Sequence, residues 1–152
     1  MTTPRERLAE LGVNLPPVTP PVAAYIPAIR TGNHVYVSGQ VPVADGKVLA
    51  TGKVGGEITP EQAKDLAARC ALNILAAVDD LVGLDHVVRV VKVVGFVASA
   101  GGFTAQPAVI NGASEFFVDV FGEAGRHARS AIGVFELPLG VPVEVEAIFE
   151  VD

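Results

Sequence analysis

The sequence predicts an α+β fold in which two helices pack on one face of a mixed β-sheet. Two segments carry apolar residues at three- and four-residue intervals, which is typical of amphipathic helices, and several others are rich in β-branched residues. These segments occur along the chain in the order strands, helix, strand, helix, two strands. A length of 152 residues fits one domain with one sizeable core.

The chain is predicted to begin with a short helix. Thr3 and Glu6 have the spacing of a capping box, and Pro4 stands at the first helical position, where proline is favoured. A helix is therefore expected over residues 3–11, ended by Gly12.

A tether is expected to lead from this helix into the first strands. Residues 15–21 contain four prolines and cannot continue a helix or form a central strand. Residues 22–41 predict two strand segments around a turn at 31–33. We therefore predict an N-terminal helix and tether over residues 1–21 and a single α+β domain over residues 22–152.

The most regular segment of the chain follows Thr59. Thr59, Pro60 and Gln62 repeat the capping signature, and apolar residues at three- and four-residue intervals predict a helix that ends at Gly83. Residues 86–99 are apolar on both alternating faces and predict a central strand. The remaining predicted elements are a helix over about 107–121, ended by Gly122, and strands over about 127–136 and 142–151.

The charge balance argues against nucleic acid as a partner. The chain has 11 basic and 17 acidic residues, a net charge of −6, no run of basic residues and no tryptophan. No apolar run reaches the roughly 18 residues of a membrane span, and the first residues lack the apolar region of a secretory signal. We expect no nucleic-acid or membrane partner and a cytoplasmic location.

No motif in the sequence indicates a cofactor. The histidines His34, His86 and His127 are far apart and form no cluster with metal-ligand spacing, and no phosphate-binding glycine loop is present. Cys70 lies among apolar helix positions, which predicts a small, inert core residue. We therefore expect a protein without metal or cofactor.

The predicted elements indicate association. Two helices cover only one face of the sheet, yet the strand at 86–99 is apolar on both faces. The second face is expected to meet another subunit in a closed, symmetric homo-oligomer.

The C-terminal part of the chain resembles a known family. The stretch HARSAIGVFELPLGVPVEVEAI, residues 127–148, is similar to the C-terminal signature of the RidA/YjgF reactive intermediate deaminases, also called endoribonuclease L-PSP. VYVSGQVPV at 35–43 resembles the SGQ hairpin of that family, and VINGASEFF at 109–117 resembles its second helix. Together with Tyr25 in the first strand, these matches cover about residues 22–151 in the family's order.

The resemblance implies a chorismate-mutase-like fold assembled as a homotrimer, with a central barrel, helices outside and a small-molecule cleft at each subunit interface. It also implies an enzyme that hydrolyses small enamines and imines such as 2-aminoacrylate to 2-keto acids and ammonia. The substrate would be a small carboxylate bound between subunits.

The catalytic positions of the family match Arg129 and Glu146. A guanidinium presents a planar pair of donors to a substrate carboxylate, and a glutamate can direct the attacking water. The resemblance further implies that Tyr25 closes one wall of the pocket, that Gly39 lets the backbone approach the ligand, and that Asn111 lines the site from the second helix. His127, which stands where the signature usually has proline or alanine, adds a group suited to acid–base chemistry.

Each of these residues also has a purely structural interpretation. Arg129 would pair with Glu144 or Glu146 across adjacent strands, and the glutamates would form a solvated outer face. Tyr25 would cover the core, Gly39 would serve a β-bulge, and Asn111 would serve packing or capping.

Three functions remain open at this point. The deaminase requires both Arg129 and Glu146, whereas a non-catalytic binder of small carboxylates or keto acids, with a regulatory role, requires Arg129 alone. A ribonuclease is disfavoured by the net charge of −6.

Overall fold

The computed structural model describes residues 2–18, 21 and 23–152, and it contains three α-helices, three short 3₁₀ helices and seven strands in that part of the chain. The α-helices are α1 (Pro4–Glu10), α2 (Pro60–Val82) and α3 (Gln106–Phe121). The strands are β1 (Ala28–Thr31), β2 (His34–Gln40), β3 (Val43–Ala44), β4 (Lys47–Val48), β5 (Val87–Ala98), β6 (Ala128–Val134) and β7 (Val143–Val151). The predicted order of elements is confirmed.

The predicted helix starts are confirmed at the level of individual hydrogen bonds. Thr3 and Thr59 each accept a bond from the backbone of the third helical residue, whose side chain accepts one in return from the capping residue. Helix α2 ends at Gly83 and α3 ends at Gly122, as their positions in the sequence predict. Such caps satisfy backbone groups that a helix end leaves without partners.

Five strands form a mixed sheet in the order β1-β2-β7-β5-β6. Strands β5 and β6 run parallel, and every other neighbouring pair in this sheet is antiparallel. The predicted central position of the segment at 86–99 is confirmed, because β5 lies between β7 and β6. Strands β3 and β4 form a separate hairpin.

Helices α2 and α3 cover one face of this sheet, which we call the helix face. Phe117 of α3 meets Phe149 of β7 edge to face, with ring centroids 5.8 Å apart, and both side chains are fully buried. The burial of each ring contributes on the order of 1.5–3 kcal/mol. Gly112 allows α3 to approach α2, because a Cβ at this position would collide with the backbone carbonyl of Lys64.

The opposite face, which we call the open face, carries exposed apolar side chains. Ile29, Tyr36 and Ile132 are 54%, 45% and 45% exposed. Exposed apolar side chains that share one face of a sheet are typical of a surface that another protein covers. The homo-oligomer expected from the sequence stays a prediction, and the open face is the surface that it would cover.

The first strand is shorter than predicted. It begins at Ala28, and residues 23–25 form a bend, so that Tyr25 precedes the strand instead of lying within it. Pro27 has no N–H to give to a ladder, and Ser38 binds the carbonyls of Ile26 and Pro27. Of the predicted tether and the residue after it, Thr19, Pro20 and Val22 lie outside the described residues.

Helix α1 packs on the domain. Leu8 is buried in the same core as the sheet, and Arg5 forms an ion pair with Asp79 of α2. Cys70 is fully buried, and desolvation raises the pKa of its thiol well above the usual range, as expected for an inert core residue. None of the helices in the described ranges has the length and apolar character that a membrane crossing requires.

Candidate active site

Arg129 points from the edge strand β6 toward helix α3 and lies on the helix face. Its partner in the parallel register is Val93, a fully buried core residue. Its Nη1 donates to Oδ1 of Asn111 at 2.7 Å and to Oγ of Ser114 at 3.3 Å. Both hydrogens of Nη1 are thereby used, and Nη2 and Nε have no acceptor within hydrogen-bond distance in the described part of the chain.

His127 extends this arrangement. Its Nε2 lies 2.9 Å from Oγ of Ser114, and its Nδ1 lies 2.6 Å from the carbonyl oxygen of Gly125. Its ring also meets Phe117 edge to face. Burial lowers the pKa of His127, the hydrogen bond to Gly125 raises it, and the positive charge of Arg129 lowers it further. The net shift of the pKa is downward, which favours the neutral imidazole.

Glu146 lies on the open face. It alternates along β7 with the buried residues Val145 and Ala147, and its neighbour across β5 is Val94. It lines a cleft of about 290 Å³. The other residues around this cleft are Ile29, Tyr36, Val37, Ser38, Lys92, Val94, Ala147 and Ile148.

Glu144 stands two residues before Glu146 on the same face, and sequence reasoning assigned it to a solvated surface. It is partly buried, and its carboxylate lies across Gly39 of β2, so that a Cβ on Gly39 would collide with it. Its neighbour across β5 is Phe96. Desolvation raises the pKa of Glu144, and the nearby charge of Glu146 raises it further. The sequence signal for Glu144 was the ExE motif, whose two glutamates lie on one face of the strand.

Two structural interpretations are settled by these positions. The ion pair of Arg129 with Glu144 or Glu146 is wrong, because β5 lies between their strands and the side chains point to opposite faces. The bulge at Gly39 is present, since the register of β2 against β7 shifts between Val37 and Gln40.

The structure brings together only some of the predicted site residues. Asn111, His127 and Arg129 meet between α3 and β6, whereas Gly39 and Glu146 belong to the open face. Tyr25 is 55% exposed and precedes β1, at the sheet edge opposite to β6.

Sequence reasoning missed Ser114, which links His127 to Arg129. Its place three residues after Asn111, hence on the same side of α3, was the available signal. No group of three acidic, histidine or cysteine side chains in the described ranges is arranged to hold a metal ion.

A mixed sheet with two helices packed on one face defines an α+β protein of the architecture seen in solved YjgF-like proteins. The comparisons with known proteins agree: the chain belongs to the RidA/YjgF family, whose model, described as Endoribonuclease L-PSP, matches residues 17–151.

Relatives of similar length extend this assignment. The chain is 42% identical to protein TCP17 of Trypanosoma cruzi over 95% of this chain and 92% of the relative. It is 32% identical to a 2-iminobutanoate/2-iminopropanoate deaminase of Dermatophagoides farinae, covering 92% and 95% of the two chains. The solved structure of Atu1372 from Agrobacterium tumefaciens, a protein of unknown function, is 45% identical, with a TM-score of 0.91 and coverage of 98% and 92%.

Proposed function

We propose that this protein is a hydrolytic deaminase of small enamines and imines that carry a carboxylate. The observation that carries the proposal is the anchoring of Arg129. Asn111 and Ser114 take both hydrogens of Nη1, while the edge formed by Nη2 and Nε has no described partner. That edge has the geometry of a bidentate carboxylate site.

The acid pair supplies the second requirement of the reaction. A carboxylate with a raised pKa is a better proton acceptor, and Glu144 has this property because it is desolvated and lies near Glu146. We assign the water-directing role to this pair, in which Glu146 lines the open-face cleft and Glu144 lies against Gly39.

The reaction needs only proton transfers and orientation. One glutamate accepts a proton from water as the oxygen attacks the imine carbon, and the same proton then reaches the nitrogen. In the resulting aminoalcohol the hydroxyl proton moves to the amino group through the same glutamate, the carbon–nitrogen bond breaks, and ammonia and a keto acid remain. An enamine substrate first becomes the imine by moving a proton from its nitrogen to its terminal carbon. Orientation of a substrate that already hydrolyses in water contributes a useful acceleration, and no metal or cofactor takes part in these steps.

The proposed site requires two copies of the chain. Arg129 and the acid pair lie on opposite faces of the sheet, so one chain cannot hold a substrate between them. A homotrimer of the chorismate-mutase-like kind would place the open face of one subunit against the β6–α3 edge of the next, and it would also cover Ile29, Tyr36 and Ile132. Tyr25 would then contribute from the neighbouring subunit.

The test measures the release of keto acid from 2-aminoacrylate, which a pyridoxal-phosphate lyase generates in situ. Wild type should accelerate the reaction over the uncatalysed rate, and Arg129→Ala should abolish that acceleration. Arg129→Lys is the matched control, because it keeps the charge but loses the planar pair of donors. Glu144→Gln and Glu146→Gln should each retain binding and reduce turnover. Equal rates for wild type and Arg129→Ala would refute the proposal.

The second candidate is a non-catalytic binder of small carboxylates. It is favoured by the separation of Arg129 from the acid pair within one chain, since an anchored arginine can bind a ligand without a catalytic carboxylate. Saturable binding of pyruvate to wild type, with no acceleration of 2-aminoacrylate hydrolysis, would select this function.

A further inference from the structure

The contacts around Ser114 form a directed chain of hydrogen bonds. A carbonyl oxygen can only accept, so the short contact from Nδ1 of His127 to Gly125 places a hydrogen on Nδ1. In the neutral ring Nε2 is then an acceptor, and the hydroxyl of Ser114 donates to it. The oxygen of Ser114 keeps its lone pairs for Nη1 of Arg129.

We propose that His127 and Ser114 are positioning residues that hold Arg129 in its carboxylate-binding orientation only while His127 is neutral, so that binding weakens on acidification. This inference rests on the proposed function, because it concerns the same arginine. It assigns a role to the one titratable group of the cluster that the deaminase chemistry does not use.

Protonation of His127 would reverse the direction of its hydrogen bond with Ser114. Nε2 would become a donor, and Ser114 would face two cationic donors, one from His127 and one from Arg129. Its hydroxyl hydrogen would have to turn away, and the two positive charges would repel one another. The guanidinium would keep its bond to Asn111 but lose the support of Ser114, so the edge formed by Nη2 and Nε would be held less firmly for a ligand.

Among the groups packed around His127, Arg129 is the one whose charge affects the pKa of the ring. Helix α3 contributes Ser114 and the ring of Phe117, and the turn before β6 contributes the carbonyl of Gly125. Arg126, the preceding residue, is exposed and pairs with Glu123 on the surface. Burial and Arg129 both lower the pKa of His127, which agrees with a cluster built for the neutral ring.

The experiment measures the Kd of pyruvate by calorimetry between about pH 5 and pH 8, a range in which its carboxylate stays ionised. In wild type the Kd should rise roughly tenfold as His127 becomes protonated, the loss expected for one charge-assisted hydrogen bond. The pH profiles of wild type and of every variant are repeated in a Glu144→Gln background, because the pKa of Glu144 is also raised above its usual range.

Substitutions at His127 and Ser114 separate positioning from structure. His127→Leu and Ser114→Ala should weaken binding roughly tenfold at every pH and abolish its pH dependence. His127→Gln offers a side-chain oxygen to Ser114 without a titratable ring, so it should recover most of the binding lost in His127→Leu, again without pH dependence. A His127→Gln variant that keeps the wild-type pH profile would overturn the inference.

A spectroscopic measurement keeps this test independent of the deaminase. Imidazole ¹⁵N shifts should show the Nδ1–H tautomer of His127 near neutral pH, and Ser114→Ala should raise the pKa of His127, because the neutral ring loses a donor. If wild type binds no pyruvate at any pH, the proposed function fails, while these shifts still report on the chain of hydrogen bonds. Observation of the Nε2–H tautomer would contradict the proposed directions of these hydrogen bonds.

Discussion

Arg129 and Glu146 lie on opposite faces of the same sheet, with strand β5 between their strands. Two side chains in this relationship cannot contact one molecule that binds to a single chain. They can do so if each comes from a different subunit. This geometry makes a prediction that distinguishes a shared site from two unrelated sites.

Mixing two impaired variants should raise activity above that of either variant alone. When subunits of Arg129→Ala and Glu146→Gln are unfolded, mixed and refolded together, about one quarter of the subunit interfaces should combine both intact residues. Keto-acid release from 2-aminoacrylate should return to about that fraction of the wild-type rate. Each variant refolded alone is the control. A mixture that stays as inactive as its components would show that both residues must be intact in the same chain.

Gly39→Ala should reduce turnover more than binding. The added Cβ would collide with the carboxylate of Glu144, which must move. Because the flexible end of Glu144 can shift aside, we expect little loss in the free energy of unfolding but a lower kcat, with little change in the Kd of pyruvate. Gly101→Ala is the matched control, because nothing lies within 4 Å of the Cβ added there. Full turnover in Gly39→Ala would argue against a role for the Glu144 carboxylate.

Glu144→Gln should stabilise the protein above acidic pH. The pKa of Glu144 is raised in the folded state, so the folded chain holds this proton more tightly than the unfolded chain. Stability is therefore full below the unfolded value of about 4.3 and is lost as pH rises through the folded value. The Tm gain of the variant over wild type should grow from about pH 4 to pH 7. Glu150→Gln, on the same strand face, is the control, and an equal gain at both pH values would contradict the expectation.

Asn111→Asp should make the protein more stable and a weaker binder. An aspartate would pair with Nη1 of Arg129 at the position where Asn111 now accepts a bond of 2.7 Å. The ion pair strengthens the anchor, while its negative charge repels the incoming carboxylate. We expect the Kd of pyruvate to rise roughly tenfold while Tm does not fall. Asn111→Ala, which removes the shorter of the two bonds to Nη1, should also weaken binding but with a lower Tm.

Local sequence signals were sufficient to predict most of the helices and strands. The capping residues Thr3 and Thr59 and the terminal glycines Gly83 and Gly122 act within one helical turn, so their effects are readable from neighbouring positions. The alternation along β7 likewise predicted which side of the strand is buried.

The contacts between the site residues could not be predicted from local sequence patterns. Pairing of Arg129 with a glutamate is a reasonable prediction for two strand segments that follow one another in the sequence, but the strand order inserts β5 between them. The link from Ser114 to His127 depends on the distance between α3 and the turn before β6, which packing of the whole domain sets. The family resemblance predicts Tyr25 within the first strand, whereas the strand begins at Ala28, directly after Pro27.

The close packing of Gly112 against the backbone of α2 has a consequence for how specificity could change. Asn111 and Ser114 lie on either side of this glycine in the sequence, and both accept hydrogen bonds from Arg129. The distance of these two side chains from the sheet therefore depends on the contact between the two helix backbones. Substitutions on α2 that tilt this contact would shift the anchor without altering any residue that touches a ligand. Laboratory evolution toward larger acids would then be expected to accumulate changes on α2, remote from the pocket itself.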